Sequence, residues 1–392
     1  MSKIRKKIVN NQVINFDKVN NFLIKLFAND VHALRVLSIS NAVLGVITGT
    51  SLAISMIGHG LAVAKGKATK HSVKQVDRLL SNGRFIVWNY FKYWVKEIVG
   101  VRSEVIIAMD WTEFDKDNQS TLALHLTTNH GRATALLWKT YDKSKLKGNR
   151  NKYERRILKR LKKLLPKDMA VTILADRGFG YVDLYSETDK LGFKFVIRFK
   201  DNVTVYSDSG EEKTAREWVG PNGRAKRLEN AKVTSSKRKE MPVIVCVQDK
   251  KMKAPWCLVT NDATLKTREI INYYAKRWSI EPSFRDQKDI RFGMGMHNIS
   301  ISNPMRRDRL FFISAVATLL LTILGAASEA IGMDKLLKAN TVKRRTHSLF
   351  RQGVMLYELI PNMIEERLVK LMDKFHELLM LHKTTKIVFS FV

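Results

Sequence analysis

Four residues between positions 274 and 288 have side chains and a spacing suited to binding phosphate and a metal ion together. They are Tyr274, Arg277, Glu281 and Lys288. In one continuous helix with 3.6 residues per turn, all four would lie within an arc of about 60°. A carboxylate flanked by two bases and a phenol suits a divalent cation at the acid and phosphates at the bases. The alternative is a solvated helix face with an i,i+4 ion pair between Arg277 and Glu281.

Two upstream carboxylates favour the metal-binding interpretation. Asp110 ends the apolar run 105–109, and Asp176 ends the apolar run 170–175. A buried strand that ends on an acid delivers that acid to a site at the edge of a sheet. Three carboxylates brought together would repel one another unless cations lay between them. Two Mg²⁺ ions, with Mn²⁺ as a substitute, would resolve the repulsion and support phosphodiester displacement.

The overall composition indicates a polyanionic partner. The 392 residues include 69 Lys and Arg against 37 Asp and Glu, which gives a formal net charge of +32. This excess is larger than solubility requires and favours nucleic acid, with an anionic membrane surface as the alternative. The two cysteines, Cys246 and Cys257, form neither a metal-ligand spacing nor a disulfide framework, so we expect a reducing compartment. The basic N-terminus runs into polar residues, and no secretory signal is expected.

Two apolar stretches resemble membrane spans. Residues 37–64 contain no Lys, Arg, Asp or Glu but are interrupted by Gly, Ser, Thr and Asn, and residues 310–327 are uncharged. The second stretch is near the lower length limit for crossing a bilayer. A helix buried in a large α/β core is apolar all round for the same reason. We therefore expect buried helices here and no membrane association.

The first hundred residues are predicted to be mainly helical, and one of these helices could bind DNA. Ser72 and Gln75 have the spacing of a capping box, which predicts a helix start at Ser72. In that helix Lys74, Gln75 and Arg78 would be exposed, as in a helix that reads a DNA groove. An ordinary amphipathic helix is the alternative.

From residue 104 the pattern predicts strands. The runs 121–126 and 133–138 read as two strands joined by the turn 129–132, where Arg132 could contact DNA. Residues 139–167 then hold thirteen Lys and Arg against two acids, including an amphipathic helix over 153–165 with a basic outer face. This excess of one sign favours phosphate contact over a merely solvated surface.

The predicted element order suggests five regions. Residues 1–100 form a helical domain with a possible DNA-binding role, and 101–199 form the first part of an α/β core. Residues 200–262 are β-prone and read as an inserted β-domain. Residues 263–330 complete the core with the stretch that carries Glu281, and 331–392 form a helical region with a possible role in dimerisation.

Together these motifs resemble a known family. The spacing of Tyr274, Arg277, Glu281 and Lys288, with the two aspartate motifs upstream, is similar to DDE transposases of the bacterial insertion-sequence group with the Tyr-Arg-Glu-Lys signature, the insertion-sequence-four type. The resemblance implies a ribonuclease-H-like core with an inserted β-domain, flanked by helical regions. In such a core the first and fourth strands are neighbours, which would bring Asp110 and Asp176 together.

The resemblance also implies an activity. The protein would carry out cut-and-paste transposition in the bacterial cytoplasm, associated with the nucleoid. A homodimer on DNA would bind the terminal inverted repeats, nick each end, form and resolve hairpins, and join the ends to target DNA. Asp110, Asp176 and Glu281 would bind the metal ions, Tyr274, Arg277 and Lys288 would hold phosphates, and Trp256 would stack on a flipped base.

Two alternatives to a transposase remain at the level of sequence. A nuclease or resolvase with the same triad would hydrolyse DNA without joining strands, and an inactive remnant would bind DNA without cutting it. Pro282 directly follows Glu281, and a proline inside a helix removes a donor and crowds the preceding turn. A kink there would change the position of Glu281 relative to Lys288.

Overall fold

The computed structural model describes residues 14–27, 30–250 and 252–384. The first residues of the predicted helical region 1–100 lie outside these residues, as does the end of the C-terminal region. Within them, five helices precede the sheet: α1 (Phe16–Phe27), α2 (Ala33–Gly49), α3 (Ile54–Lys65), α4 (Thr69–Ser81) and α5 (Val87–Val99).

The glycine-punctuated apolar stretch forms the helix pair α2 and α3, whose axes differ by 94°. A Cβ on Gly45 would overlap the carbonyl oxygen of Ile57, and a Cβ on Gly60 would overlap that of Gly45. The glycines therefore allow the two backbones to touch, and most of α2 is buried. This packing explains why the stretch combines high apolarity with small residues.

The predicted capping box at Ser72 is wrong. Helix α4 begins one turn earlier, at Thr69, and no side chain caps it. Ser72 is buried inside the helix, where its hydroxyl donates to the carbonyl of Ala68 at 3.4 Å. The predicted exposure holds for Lys74 and Arg78, while Gln75 is half-buried.

One mixed sheet of ten strands forms the centre of the described molecule, with the order β3-β2-β1-β4-β5-β10-β9-β8-β6-β7. β1 pairs in parallel with β4, β4 pairs in parallel with β5, and every other neighbouring pair is antiparallel. The strands are β1 (Glu104–Phe114), β2 (Gln119–Leu126), β3 (Thr134–Asp142), β4 (Ala170–Ala175), β5 (Lys194–Phe199), β6 (Thr204–Tyr206), β7 (Glu212–Thr214), β8 (Lys226–Val233), β9 (Lys239–Val247) and β10 (Trp256–Thr260).

The first half of the sheet follows the predicted element order. Helix α6 (Arg150–Leu164) connects β3 to β4, and α7 (Val182–Lys190) connects β4 to β5. Both connect strands of one sheet and pack against each other. The predicted adjacency of the first and fourth strands is confirmed by the pairing of β1 with β4. The strands between residues 204 and 260 continue the same sheet beyond β5.

The signature stretch is two helices rather than the single continuous helix that we predicted. Helix α8 (Thr267–Lys276) leads through a 3₁₀ turn at Arg277–Ser279 into α9 (Ile280–Lys288). Pro282 is the third residue of α9, within the first turn, where a backbone N–H has no intrahelical acceptor. The expected kink between Glu281 and Lys288 is therefore wrong, and the change in helix geometry comes before Glu281.

The long apolar helix α10 (Pro304–Ala330) packs inside the protein. Of the described helices it is the one whose length and composition would allow it to cross a membrane, but 89% of its most apolar window is buried by the rest of the chain. Helix α11 (Leu349–Leu359) and helix α12 (Glu365–Thr384) pack against it. The prediction of a buried core helix over residues 310–327 is confirmed.

Three consecutive charged residues near the start of α10 are buried and bind different parts of the fold. Arg307 pairs with Asp117 in the β1–β2 turn. The carboxylate of Asp308 accepts from the side chain of Lys139 and the backbone of Thr140 on β3, at 2.6 and 2.8 Å. The Arg309 guanidinium donates to the carbonyl oxygens of Leu80, in the last turn of α4, and Phe85, between α4 and α5. One helical turn thus connects the N-terminal helices to the sheet that carries Asp110.

The crossing of α10 and α11 generates a stability prediction. A Cβ on Gly353 would overlap the carbonyl oxygen of Leu321, and a Cβ on Gly325 would overlap that of Leu349. We expect Gly353→Ala to destabilise the protein by about 2 kcal/mol or more, because overpacking against backbone outweighs the gain in helix propensity. Thermal unfolding measures the loss. Gly83→Ala, where an added Cβ meets open space, is the control. Equal melting temperatures for both variants would contradict this packing.

Candidate active site

The two aspartates that end apolar runs lie side by side. The parallel register of β1 and β4 pairs Met109 with Ala175, and the residue that follows each of them is an aspartate. Neighbouring strands are separated by about 5 Å, so the two acids lie beside each other. Asp176 directly follows β4, as predicted, but Asp110 lies inside β1, which continues to Phe114, so the prediction that the first strand ends on Asp110 is wrong. Both side chains are half-buried. The sequence predicted each acid, and the pairing of their strands brings them together.

Local hydrogen bonds fix the orientation of each carboxylate. The backbone N–H of Trp111 donates to Asp110 Oδ1 at 2.8 Å, and that of Arg177 donates to Asp176 Oδ1 at 2.7 Å. The Tyr274 hydroxyl, on α8, also donates to Asp176 Oδ1 at 2.8 Å. The signature stretch is therefore attached directly to the end of β4.

Arg277 lies between two of the predicted acids. Its Nη1 is 3.5 Å from Asp110 Oδ2, and its Nη2 donates to Glu281 Oε1 at 3.1 Å. The Arg277 side chain is 4% exposed, whereas that of Glu281 is 47% exposed. Glu281 thus lies at the mouth of the site, and the guanidinium lies at its centre.

Lys288 approaches the site from the other end of α9. Its Nζ donates to Thr112 Oγ1 and to the carbonyl oxygen of Glu113, both at 3.0 Å. These partners follow Asp110 on β1, so the ammonium group lies beside the strand that carries the first acid. Burial lowers the pKa of Lys288, against the raising effect of Asp115 and Glu113.

Trp256 also lies at the site. It begins β10, and its ring is 4.8 Å from that of Tyr274 at an angle of 75°. Arg198 on β5 completes this side: its Nη2 donates to the carbonyl of Pro255 at 3.0 Å, and its Nη1 is 3.7 Å from Asp176 Oδ1. Our sequence analysis missed Arg198 as a site residue. Its position as a charged residue inside the apolar run 193–199 was the feature of the sequence that could have indicated a role in the site.

The environment separates the pKa values of the two neighbouring aspartates. Burial raises the pKa of Asp110 to about 6; Arg277 opposes this rise, and the charges of Asp176 and Glu281 add to it. Burial also disfavours the ionised form of Asp176, but the Arg177 N–H, Arg277, the Tyr274 hydroxyl and Arg198 together bring its pKa below the usual value. Two adjacent carboxylates with opposite shifts are typical of a functional site.

The acids suit a hard metal ion, but they are not assembled around one position. Among residues 14–27, 30–250 and 252–384, no three Asp, Glu, His or Cys side chains are grouped closely enough to hold a metal ion. The donors themselves fit Mg²⁺, since Asp110 and Asp176 offer carboxylate oxygens from adjacent strands. The guanidinium of Arg277 occupies the space between Asp110 and Glu281 as a stand-in cation.

The predicted DNA-binding residues of α4 line a separate groove. This cavity of about 770 Å³ lies between α2, α4 and the turn after α4. Its basic lining residues are Arg35, Lys74, Arg78 and Arg84, and Gln75 also lines it. Among its described lining residues there is no carboxylate, so the groove has a strongly positive potential.

Two other predicted phosphate contacts are engaged in ion pairs. Arg132 Nε lies 2.7 Å from Asp286 Oδ2, and 23% of its side chain is exposed. On α6, Arg155 pairs with Asp183 and Lys159 with Glu187. The basic face of α6 is therefore partly neutralised by α7.

The opposite pKa shifts of the two aspartates generate a stability prediction. A pKa raised to about 6 means that the folded state loses stability as the pH rises from about 4 to about 6. In metal-free buffer at about pH 7.5 we expect Asp110→Asn to stabilise the protein by about 1–2 kcal/mol, and much less at about pH 4.

Asp176→Asn is the matched control for this prediction. The lowered pKa of Asp176 contributes stability that is present at neutral pH and lost as the pH falls through the folded-state value. Its substitution should therefore lower the melting temperature at neutral pH. A melting temperature for Asp110→Asn at or below that of the wild type at about pH 7.5 would contradict the assigned environment.

Comparison with known proteins identifies the family. The family described as transposase DDE domain matches residues 102–319, more than half of the 392 residues. The matched span contains Asp110, Asp176 and Glu281. No curated protein is significantly similar to the chain. The chain therefore belongs to the transposase DDE domain family.

Proposed function

We propose that this protein is a cut-and-paste DNA transposase whose triad is Asp110, Asp176 and Glu281. The observation that carries the proposal is the meeting of Asp110 on β1 and Asp176 after β4 with the signature stretch, where Arg277 contacts two of the acids. Family membership supports a transposase that acts on DNA. Two Mg²⁺ ions, or Mn²⁺ in their place, would activate the attacking oxygen and stabilise the leaving oxygen of a phosphodiester.

The topology supports a ribonuclease-H-like core. The partial order β3-β2-β1-β4-β5, antiparallel in its first three strands and parallel from β1 to β5, matches the arrangement expected for that core. Residues 200–262 would then be the inserted β-domain, which brings Trp256 to the site. This division also leaves 1–100 and 331–392 as helical regions outside the core.

The residues around the triad are suited to holding a DNA strand. Arg277 has a planar guanidinium that can clamp a phosphate through two hydrogen bonds, and Lys288 supplies a point charge beside β1. The Tyr274 hydroxyl can donate to a phosphate oxygen when it leaves Asp176. The half-buried ring of Trp256 can stack on a base flipped from the duplex end, which offsets part of the cost of unstacking.

The basic groove of the N-terminal helices is suited to the terminal inverted repeats. Exposed Lys74 and Arg78 can reach phosphates, while Gln75 can donate to and accept from a base edge. Binding both ends at once would require a homodimer on DNA, in which residues 331–392 contribute to the interface. The same complex would then nick the ends, form and open hairpins and join them to target DNA in the cytoplasm.

The triad generates the first functional prediction. With linear duplexes that end in the inverted repeats flanking the reading frame, we expect Asp110→Asn, Asp176→Asn and Glu281→Gln each to lower end cleavage by about a thousandfold or more. End binding should persist, because the acids do not contact the N-terminal groove. Cleavage and binding are measured by gel electrophoresis of labelled DNA.

Pre-cleaved ends separate transposition from simple hydrolysis. The wild-type protein should join such ends to a second duplex, and the three variants should not. Hydrolysis without joined product would instead identify a nuclease or resolvase. Full cleavage by Asp110→Asn would contradict the assigned triad.

The groove generates the second functional prediction. Replacing both Lys74 and Arg78 with Gln should weaken binding of the terminal duplex and reduce the slope of log K against log salt by about 1.8, since each phosphate contact contributes about 0.9. Lys370→Gln, an exposed residue on α12, is the control and should leave the slope unchanged. An unchanged slope in the double variant would place the DNA elsewhere.

A further inference from the structure

The centre of the proposed metal site is already occupied by a positive charge from the chain itself. Arg277 Nη1 approaches Asp110 and Nη2 donates to Glu281, so one guanidinium partly neutralises two of the three acids. The side chain is 4% exposed, and these contacts hold it below the surface.

A divalent ion and Arg277 compete for the same oxygens. Asp110 and Glu281 would hold a divalent ion through their carboxylate oxygens, and the guanidinium already engages one oxygen of each. Two cations in one half-buried site also repel each other strongly. The absence of a three-acid grouping within the described residues is consistent with this competition, because Arg277 stands between the acids that would have to converge.

A DNA phosphate would offer the Arg277 guanidinium hydrogen bonds that the acids do not supply in full. Its Nε is buried without a hydrogen-bond partner among the described residues. A phosphate oxygen is a strong acceptor and can take two guanidinium donors at once. The ring of Trp278 lies 5.5 Å from the guanidinium carbon and is 50% exposed, so it offers an aromatic contact on the solvent side.

We propose that Arg277 exchanges partners, contacting the acids in the free protein and a DNA phosphate in the complex, so that DNA and divalent cations bind cooperatively. The inference rests on the proposed function, since it requires the acids to be the metal ligands. In the free protein Arg277 keeps the site from loading metal. Binding of the DNA end releases the acids, and the site loads metal where a strand is present to be cut.

Metal binding tests the exchange without a catalytic readout. The full-length protein is titrated with Mn²⁺ alone, and free Mn²⁺ is followed by electron paramagnetic resonance. We expect Arg277→Gln to bind Mn²⁺ about tenfold more tightly than the wild type without DNA, within the usual range of coupling between sites. Adding a duplex with the terminal repeat should tighten Mn²⁺ binding to the wild type by a similar factor and to the variant by much less.

Two further variants make the result decisive. Arg285→Gln removes one positive charge from an exposed position of α9 and should leave Mn²⁺ affinity close to the wild-type value. Adding Asp110→Asn to Arg277→Gln should abolish the tightened binding. Thermal unfolding confirms that each variant is folded before it is titrated.

The outcomes separate this inference from the proposed function. If Arg277→Gln binds Mn²⁺ no more tightly than the wild type, while Asp110→Asn removes the binding seen with DNA, the exchange is overturned and the triad stands. If Asp110→Asn leaves Mn²⁺ binding unchanged with and without DNA, the acids are not the ligands, and both the exchange and the proposed metal site fail.

Discussion

The parallel pairing of β1 with β4 places two carboxylates side by side, and the surrounding residues of the site offset part of the repulsion between them. Asp110 and Asp176 are half-buried neighbours, so ionising both costs free energy. The protein offsets part of this cost with Arg277 and with hydrogen bonds to Asp176. It leaves Asp110 with a pKa raised to about 6, which marks a position that favours an additional cation.

The position of these two acids relative to the N-terminal helices depends on α10. Its first turns bury Arg307, Asp308 and Arg309, which bind the β1–β2 turn, β3 and the α4–α5 connection. Buried charged groups of this kind are costly unless every partner is in place, so they favour one relative arrangement of the helices and the sheet. The basic groove of α4 is thereby held in a fixed relation to the acids that would cut the DNA.

Local patterns in the sequence were sufficient to predict the strand that carries Asp110, the strand that ends before Asp176 and the buried α10, because burial and period are short-range properties. They did not show that β1 continues past Asp110 to Phe114. They were not sufficient for features set by tertiary contacts. Periodicity predicted one helix across Arg277, whereas the chain forms a 3₁₀ turn there. Pro282 then lies in the first turn of α9, where a proline does not interrupt the helix. Arg198 was missed because its role depends on β10 pairing beside β5.

We propose that three acids far apart in sequence, Asp110, Asp176 and Glu281, bind the same metal ions once DNA is present. Fe²⁺ bound in place of Mg²⁺ reduces added hydrogen peroxide to hydroxyl radicals, with ascorbate to regenerate Fe²⁺. The radicals cleave the nearby backbone, and the fragments locate the site directly. In the complex with a terminal duplex, we expect cuts beside Asp110, Asp176 and Glu281 that excess Mg²⁺ suppresses together. Cuts at none of these positions, or at one of them alone, would contradict a metal site shared by the three acids.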